Sequence, residues 1–123
     1  IYSLRRMLDP IKEHVDNNFN PLPAEYTKEF APVRQKINDL MRMSCEQIET
    51  NRYENYREIL AEADACKDEL SVLRKKHIDR IQHLSDNSLM QISLVYLNVL
   101  QESQEFLSVM RHQLRAAKKF MEK

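Results

Sequence analysis

Residues 56–84 read YREILAEADACKDELSVLRKKHIDRIQHL. Apolar, small or weakly polar side chains recur in this stretch at steps of three and four: Tyr56, Ile59, Leu60, Ala63, Cys66, Leu70, Leu73, His77, Ile81 and Leu84. That spacing draws one stripe along an α-helix, the seam of a bundle. Ser85, Asp86, Asn87 and Ser88 then interrupt it with residues suited to a turn and a helix N-cap. The pattern resumes as Leu89, Ile92, Tyr96, Val99, Ser103, Phe106, Met110, Leu114, Ala117 and Met121. Two helices of about 32 and 36 residues follow, roughly 48 and 54 Å long at 1.5 Å per residue. The short turn makes them antiparallel neighbours. Around Leu94 to Leu100 the second of them is apolar on nearly every side, which predicts its front half as the most buried helical surface.

Two shorter segments precede this hairpin. One carries Leu4, Leu8, Ile11 and Val15, with Pro10 as an expected kink, and stops at Asn17-Asn18. A connector spanning 19–31 holds Asn20, Pro21 and Pro23, with a helical turn expected at 25–30. Pro32 suits a first helical position, because its missing N–H would be unpaired there anyway. From it a helix runs through Val33, Ile37, Leu40, Met41, Ser44 and Ile48 and ends at Thr50-Asn51. The expected fold is an all-α antiparallel bundle of four helices, two short and two long. The first helix either completes a four-helix layer or stacks end-on with the second.

Composition agrees with one helical domain. The chain has 123 residues, 42% apolar and 31% charged, enough of both for a core and a solvated surface. It contains no glycine. A P-loop, a dinucleotide fingerprint and Asn-Gly hairpins are thereby excluded. Nineteen basic residues balance nineteen acidic ones, so a nucleic-acid partner is not expected. Cys45 and Cys66 fall on neighbouring helices at levels offset by about 10 Å, too far for a bridge, and two free thiols suit a reducing compartment. No stretch reaches the ~20 apolar residues of a membrane span. The chain begins at Ile1 with a helical pattern already running at Leu4, which we read as a piece of a longer protein.

Several constellations bear on chemistry. Glu54, Glu58 and Glu62 form one acidic stripe, and Asp64 and Asp68 a second pair at i,i+4 that can offer oxygen ligands to a hard cation. The plainer reading is a solvated face, with Arg57, Lys67 and Arg74 placed to neutralise it. Gln101, Glu102, Ser103 and Glu105 interrupt the last helix with a polar belt that either faces solvent or binds metal. His14, His77, His83 and His112 are scattered; no Glu-x-x-His or His-Glu-x-x-His occurs, and His77 on the seam reads as a hydrogen-bonded core histidine. No base–nucleophile pair stands out, so catalysis is not expected. Arg74, Lys75, Lys76 and Arg80 complement the end of the third helix. Arg111, Arg115, Lys118, Lys119 and Lys123 crowd the end of the fourth, with only Glu122 opposing, where they suit anionic lipid or an acidic partner, or simply complement the helix dipole.

The run Tyr96-Leu-Asn-Val-Leu-Gln-Glu-Ser-Gln-Glu105, with Met110-Arg-His-Gln-Leu-Arg-Ala-Ala-Lys-Lys-Phe120, resembles the end of certain bacterial inorganic phosphate permeases, whose membrane part is followed by a PhoU-like cytoplasmic helical domain. Asp64-x-x-x-Asp68 and Leu73-Arg-Lys-Lys-His77 fit the same family, and the resemblance covers most of the chain, most clearly 53–120. It implies a non-catalytic regulatory domain at the cytoplasmic face of the inner membrane, partnered by the transmembrane part of its own transporter, with a homodimer and an anionic membrane surface as further contacts. It also implies a divalent or ferric metal ion on an acidic E/D-x-x-x-D signature. Asp64 and Asp68 match the first copy; Glu105 falls in the second, where Gln101 replaces an acid and an amide is the poorer ligand. Two alternatives stay open. One is a generic interaction or dimerisation module with exposed Met43 and Tyr53 at its interface. The other is a carboxylate-rich metal protein using Asp64, Asp68, Glu102 and Glu105.

Overall fold

The computed structural model describes residues 8–14, 22–84 and 87–121, without the side chains of Asn87 and Ser88. Its helices are α1 (8–14), α2 (Ala24–Thr50), α3 (Tyr56–Gln82) and α4 (Asn87–Met121), and no strand occurs among the described residues. The protein is an all-α bundle, as the periodicity predicts. Leu4, Val15, the Asn17-Asn18 stop and the Ser85-Asp86 turn lie outside the described residues.

The two-short, two-long expectation is corrected. α2 and α3 have 27 residues each and α4 has 35, so three long helices pack mutually, with the described residues 8–14 of α1 against them. α2 starts eight residues before Pro32, which lies exposed inside the helix. An interior proline costs roughly 3 kcal/mol. Tyr26, Phe30, Val33 and Ile37 offset it: they recur at i, i+4, i+7 and i+11 on one face, and Phe30, Val33 and Ile37 are buried. Burying a side chain of that size contributes about 1.5–3 kcal/mol each. Within the stretch expected as a 19–31 connector, helix is under way from Ala24, where the Pro23 carbonyl accepts the N–H groups of Tyr26 and Thr27 at 3.1 Å.

α2 ends where expected, at Thr50-Asn51. Asn51 is left-handed (φ 55°), its N–H bonds to the Ile48 carbonyl at 3.3 Å, and Arg52 N–H bonds to the Gln47 carbonyl at 3.1 Å. These two bonds make a Schellman stop, with asparagine in the position usually taken by the glycine this chain lacks.

Core side chains come from all four helices: Leu8 of α1; Phe30, Ile37 and Leu40 of α2; Ile59, Ala63 and Leu70 of α3; Tyr96, Leu100, Leu107, Met110 and Leu114 of α4. α1 lies along the groove between α2 and α4 rather than end-on: Ile11 and His14 border Glu102 and Phe106, and Lys12 borders Phe30 and Arg34. Cys45 and Cys66 are buried and unbridged, and burial pushes the Cys66 thiol up to about 11. Met43 and Tyr53 pack partly against the core, contrary to their expected exposure.

The front half of α4 is also corrected. Tyr96, Val99 and Leu100 are buried, but Leu94 is 46% exposed and Val95 37%. Leu89 and Ile92 share the core-facing stripe of Tyr96 and Val99, yet they are 46% and 39% exposed. Tyr26, in the first turn of α2, meets Ser93 at 3.2 Å, so Leu89, one turn before Ser93, lies past the described start of α2, while Ile92 lies level with its first residues. Among the described residues no helix is long and apolar enough to cross a membrane.

Candidate functional site

The structure separates the acidic residues read as metal ligands. Arg111 of α4 grips Asp64 of α3: its Nη2 donates to Oδ2 at 3.3 Å and its Nε approaches Oδ1 at 3.1 Å. This ion pair closes the α3–α4 interface, and with Asp64 half-exposed it is worth at most about 1 kcal/mol. Asp68 lies on the exposed side of α3, and Glu105 borders the grooves that α4 forms with α1 and α3. Among the described residues no three His, Cys, Asp or Glu side chains converge as a metal would require.

The expected polar belt of α4 divides. Ser103 is buried and donates to the Val99 carbonyl one turn back at 2.7 Å, which satisfies it locally. Glu102 Oε1 lies 3.4 Å from His14 Nε2 of α1. The residue that ties α4 to α3 is Gln104, between them in sequence. It donates to the Lys67 carbonyl at 3.0 Å and Ser71 Oγ at 2.8 Å, and accepts from Arg74 at 2.8 Å.

A cluster that sequence reading missed sits where the start of α2, the end of α3 and the start of α4 meet. Glu29 of α2 is its centre. Arg80 of α3 donates to both carboxylate oxygens, Lys76 Nζ lies 3.1 Å from Oε2, and the Tyr96 hydroxyl donates to Oε1 at 2.8 Å. Burial pushes the Glu29 carboxyl up, but the hydrogen bonds from Arg80, Lys76 and Tyr96 outweigh it and hold it below its ordinary range. Burial, and then the bond to Glu29, drives the Tyr96 hydroxyl far above its ordinary range. His77 is the hydrogen-bonded core histidine expected: fully buried, its Nε2 donates to the Ser93 carbonyl at 2.7 Å. Its Nδ1 is buried without a partner. Burial holds its pKa below 6.5. Tyr26 stacks on Tyr96 with centroids 4.6 Å apart, and His77 stands edge-on to both rings. The detectable signal was the Tyr26/Phe30/Val33 spacing, hidden by the prolines around it.

Two surfaces remain. At the hairpin end, Ile78, Leu89, Ile92, Leu94 and Val95 are each more than a third exposed. Ser71 and Arg74 face α4, and Ile78 follows them at i+7 and i+4, so it borders the same helix. At the far end of α4 the predicted basic set divides. Arg111 is engaged by Asp64, and Lys118 Nζ sits 4.9 Å from the Tyr56 ring centroid. Arg115, Lys118 and Lys119 line a groove of about 550 Å³ with Tyr56, His112 and Ala116. The chain matches no protein-family model, no curated protein and no solved structure.

Proposed function

We propose that this chain is the non-catalytic regulatory domain of a phosphate transporter, docking on the cytoplasmic side against the transmembrane part of its own protein. The observation that carries docking is the uncovered apolar end of the α3–α4 hairpin. Leu94 and Val95 lie outside the core stripe of α4, Leu89 continues that stripe past the described start of α2, and Ile92 is more than a third exposed at the first turn of α2. Exposed apolar side chains gathered at one end of a bundle mark contact surfaces. The transporter link rests on the resemblance of 96–105 and 110–120 to PhoU-like permease domains. Regulation is a population shift: the domain contacts two transporter states unequally and biases transport toward the one it fits better.

Labelled phosphate uptake tests this. In cells expressing the transporter without residues 1–123, uptake or its response to phosphate starvation changes. Unchanged uptake in both replete and starved cells overturns the reading. The same apolar end also suits a second copy of the chain, the contact expected of a dimerisation module. Light scattering that shows a tight dimer, lost in Leu94→Glu, favours that reading.

A further inference from the structure

The groove at the other end of α4 carries an inference that goes beyond docking. His112, Arg115 and Lys119 recur at i, i+3 and i+7, so they form one stripe along its outer side. Lys118 comes in from the α3 side across the Tyr56 ring. Among the described residues no carboxylate lines the groove. Asp64 of α3 is engaged by Arg111, one turn before Arg115. The whole chain is neutral, so these charges are segregated rather than part of a basic surface. Dipole complementation does not account for them: a helix C-terminus carries roughly half a negative charge, and after Arg111 the sequence sets Arg115, Lys118, Lys119 and Lys123 against Glu122 alone. The surplus is positive, and Arg115, Lys118 and Lys119 lie within about one Debye length of one another, where their fields add.

We propose that this groove binds a phosphate group, carried by free phosphate or by an anionic lipid. The guanidinium fork of Arg115 suits two phosphate oxygens, the ammonium groups supply point charges, and the His112 ring supplies a further donor. A groove of about 550 Å³ exceeds one phosphate, so it also admits what a phosphate is attached to. If the docking reading holds, this site is its input, but binding stands or falls separately.

The test uses the full chain. Its His112 ring signals are followed by NMR as sodium phosphate replaces sodium chloride at constant ionic strength. Sedimentation with phosphatidylglycerol vesicles, against phosphatidylcholine vesicles, is measured in parallel. The comparison protein carries Arg115→Gln and Lys119→Gln, exposed positions whose loss leaves the thermal midpoint unchanged; Lys75→Gln with Lys12→Gln serves as the charge-matched control. The expected result is saturable binding in at least one arm, weakened at least tenfold by the groove pair and less than twofold by the control. Saturation by phosphate identifies the free anion as a source, and binding only to phosphatidylglycerol identifies the lipid. No saturable binding in either arm, or equal loss in both variants, overturns the proposal. Neither result decides the uptake test above: binding is read on the isolated chain, and uptake on the transporter in cells.

Discussion

Glu29 gathers Arg80, Lys76 and Tyr96 around one carboxylate that is 13% exposed. Its partners differ in what they leave behind. Glu29→Gln strands the Arg80 guanidinium, and breaking a largely buried pair in this way costs about 3 kcal/mol. Tyr96→Phe removes one donor from a carboxylate that keeps two cations, at about 1 kcal/mol. Urea denaturation distinguishes the two, and equal losses would contradict the central role of Glu29. His77 makes the same region acid-sensitive. Its pKa is below 6.5 when folded, so the folded protein takes up the proton less readily than the unfolded chain. Stability is therefore complete above about pH 6.5 and falls as pH drops below it. Glu25 and Glu29 of α2 favour the charged ring, Arg80 of α3 opposes it, and the Tyr26 and Tyr96 rings enclose it. The orphan Nδ1 gives the added proton no acceptor. His77→Gln keeps a donor for Ser93 and removes the titration, so urea midpoints at pH 7.5 and 5.5 converge in that variant. Glu29 adds a separate loss at lower pH, through its own lowered range.

Among the elements, α3 and α4 were legible because their three-and-four spacing runs unbroken and their turn is polar. α2 was half legible. Its last four turns carry the same spacing, but Pro21, Pro23 and Pro32 suggested a connector where the chain is helical from Ala24. Local proline cost and tertiary burial are of similar size here, and sequence shows only the first. The Glu29 cluster was hidden for a further reason: Glu29, Arg80 and Tyr96 are far apart in the chain, and their meeting depends on helix register. The same holds for Asp64, which its i,i+4 spacing with Asp68 offered as a ligand and register gave to Arg111. The α2 stop was readable because asparagine is a glycine substitute. Asn51→Ala forces an alanine into φ near 55° and costs about 1 kcal/mol, while Asn51→Gly matches or exceeds the parent stability. Thermal melts of the two variants check the order, and alanine equal to glycine would contradict a left-handed stop.

Over the whole molecule, three long helices share one core and α1 fills the groove between α2 and α4. The two ends then differ in character. One holds the Glu29 cluster beneath an apolar edge made by Ile78, Leu89, Ile92, Leu94 and Val95. The other holds the cation-lined groove beside Tyr56. The fold class and the basic run were visible in the sequence, whereas the apolar edge emerged only once α2 was seen to begin opposite Ser93. That edge carries the account. The most direct measurement is phosphate uptake by the proposed full-length transporter carrying Ile78→Glu with Leu94→Glu, in replete and starved cells, with the thermal midpoint of the isolated variant chain as a folding control. Both side chains are already partly in water, so the midpoint stays within a few degrees. The account predicts that the uptake response is altered as it is by deleting residues 1–123. A stable variant chain with a normal uptake response would contradict it.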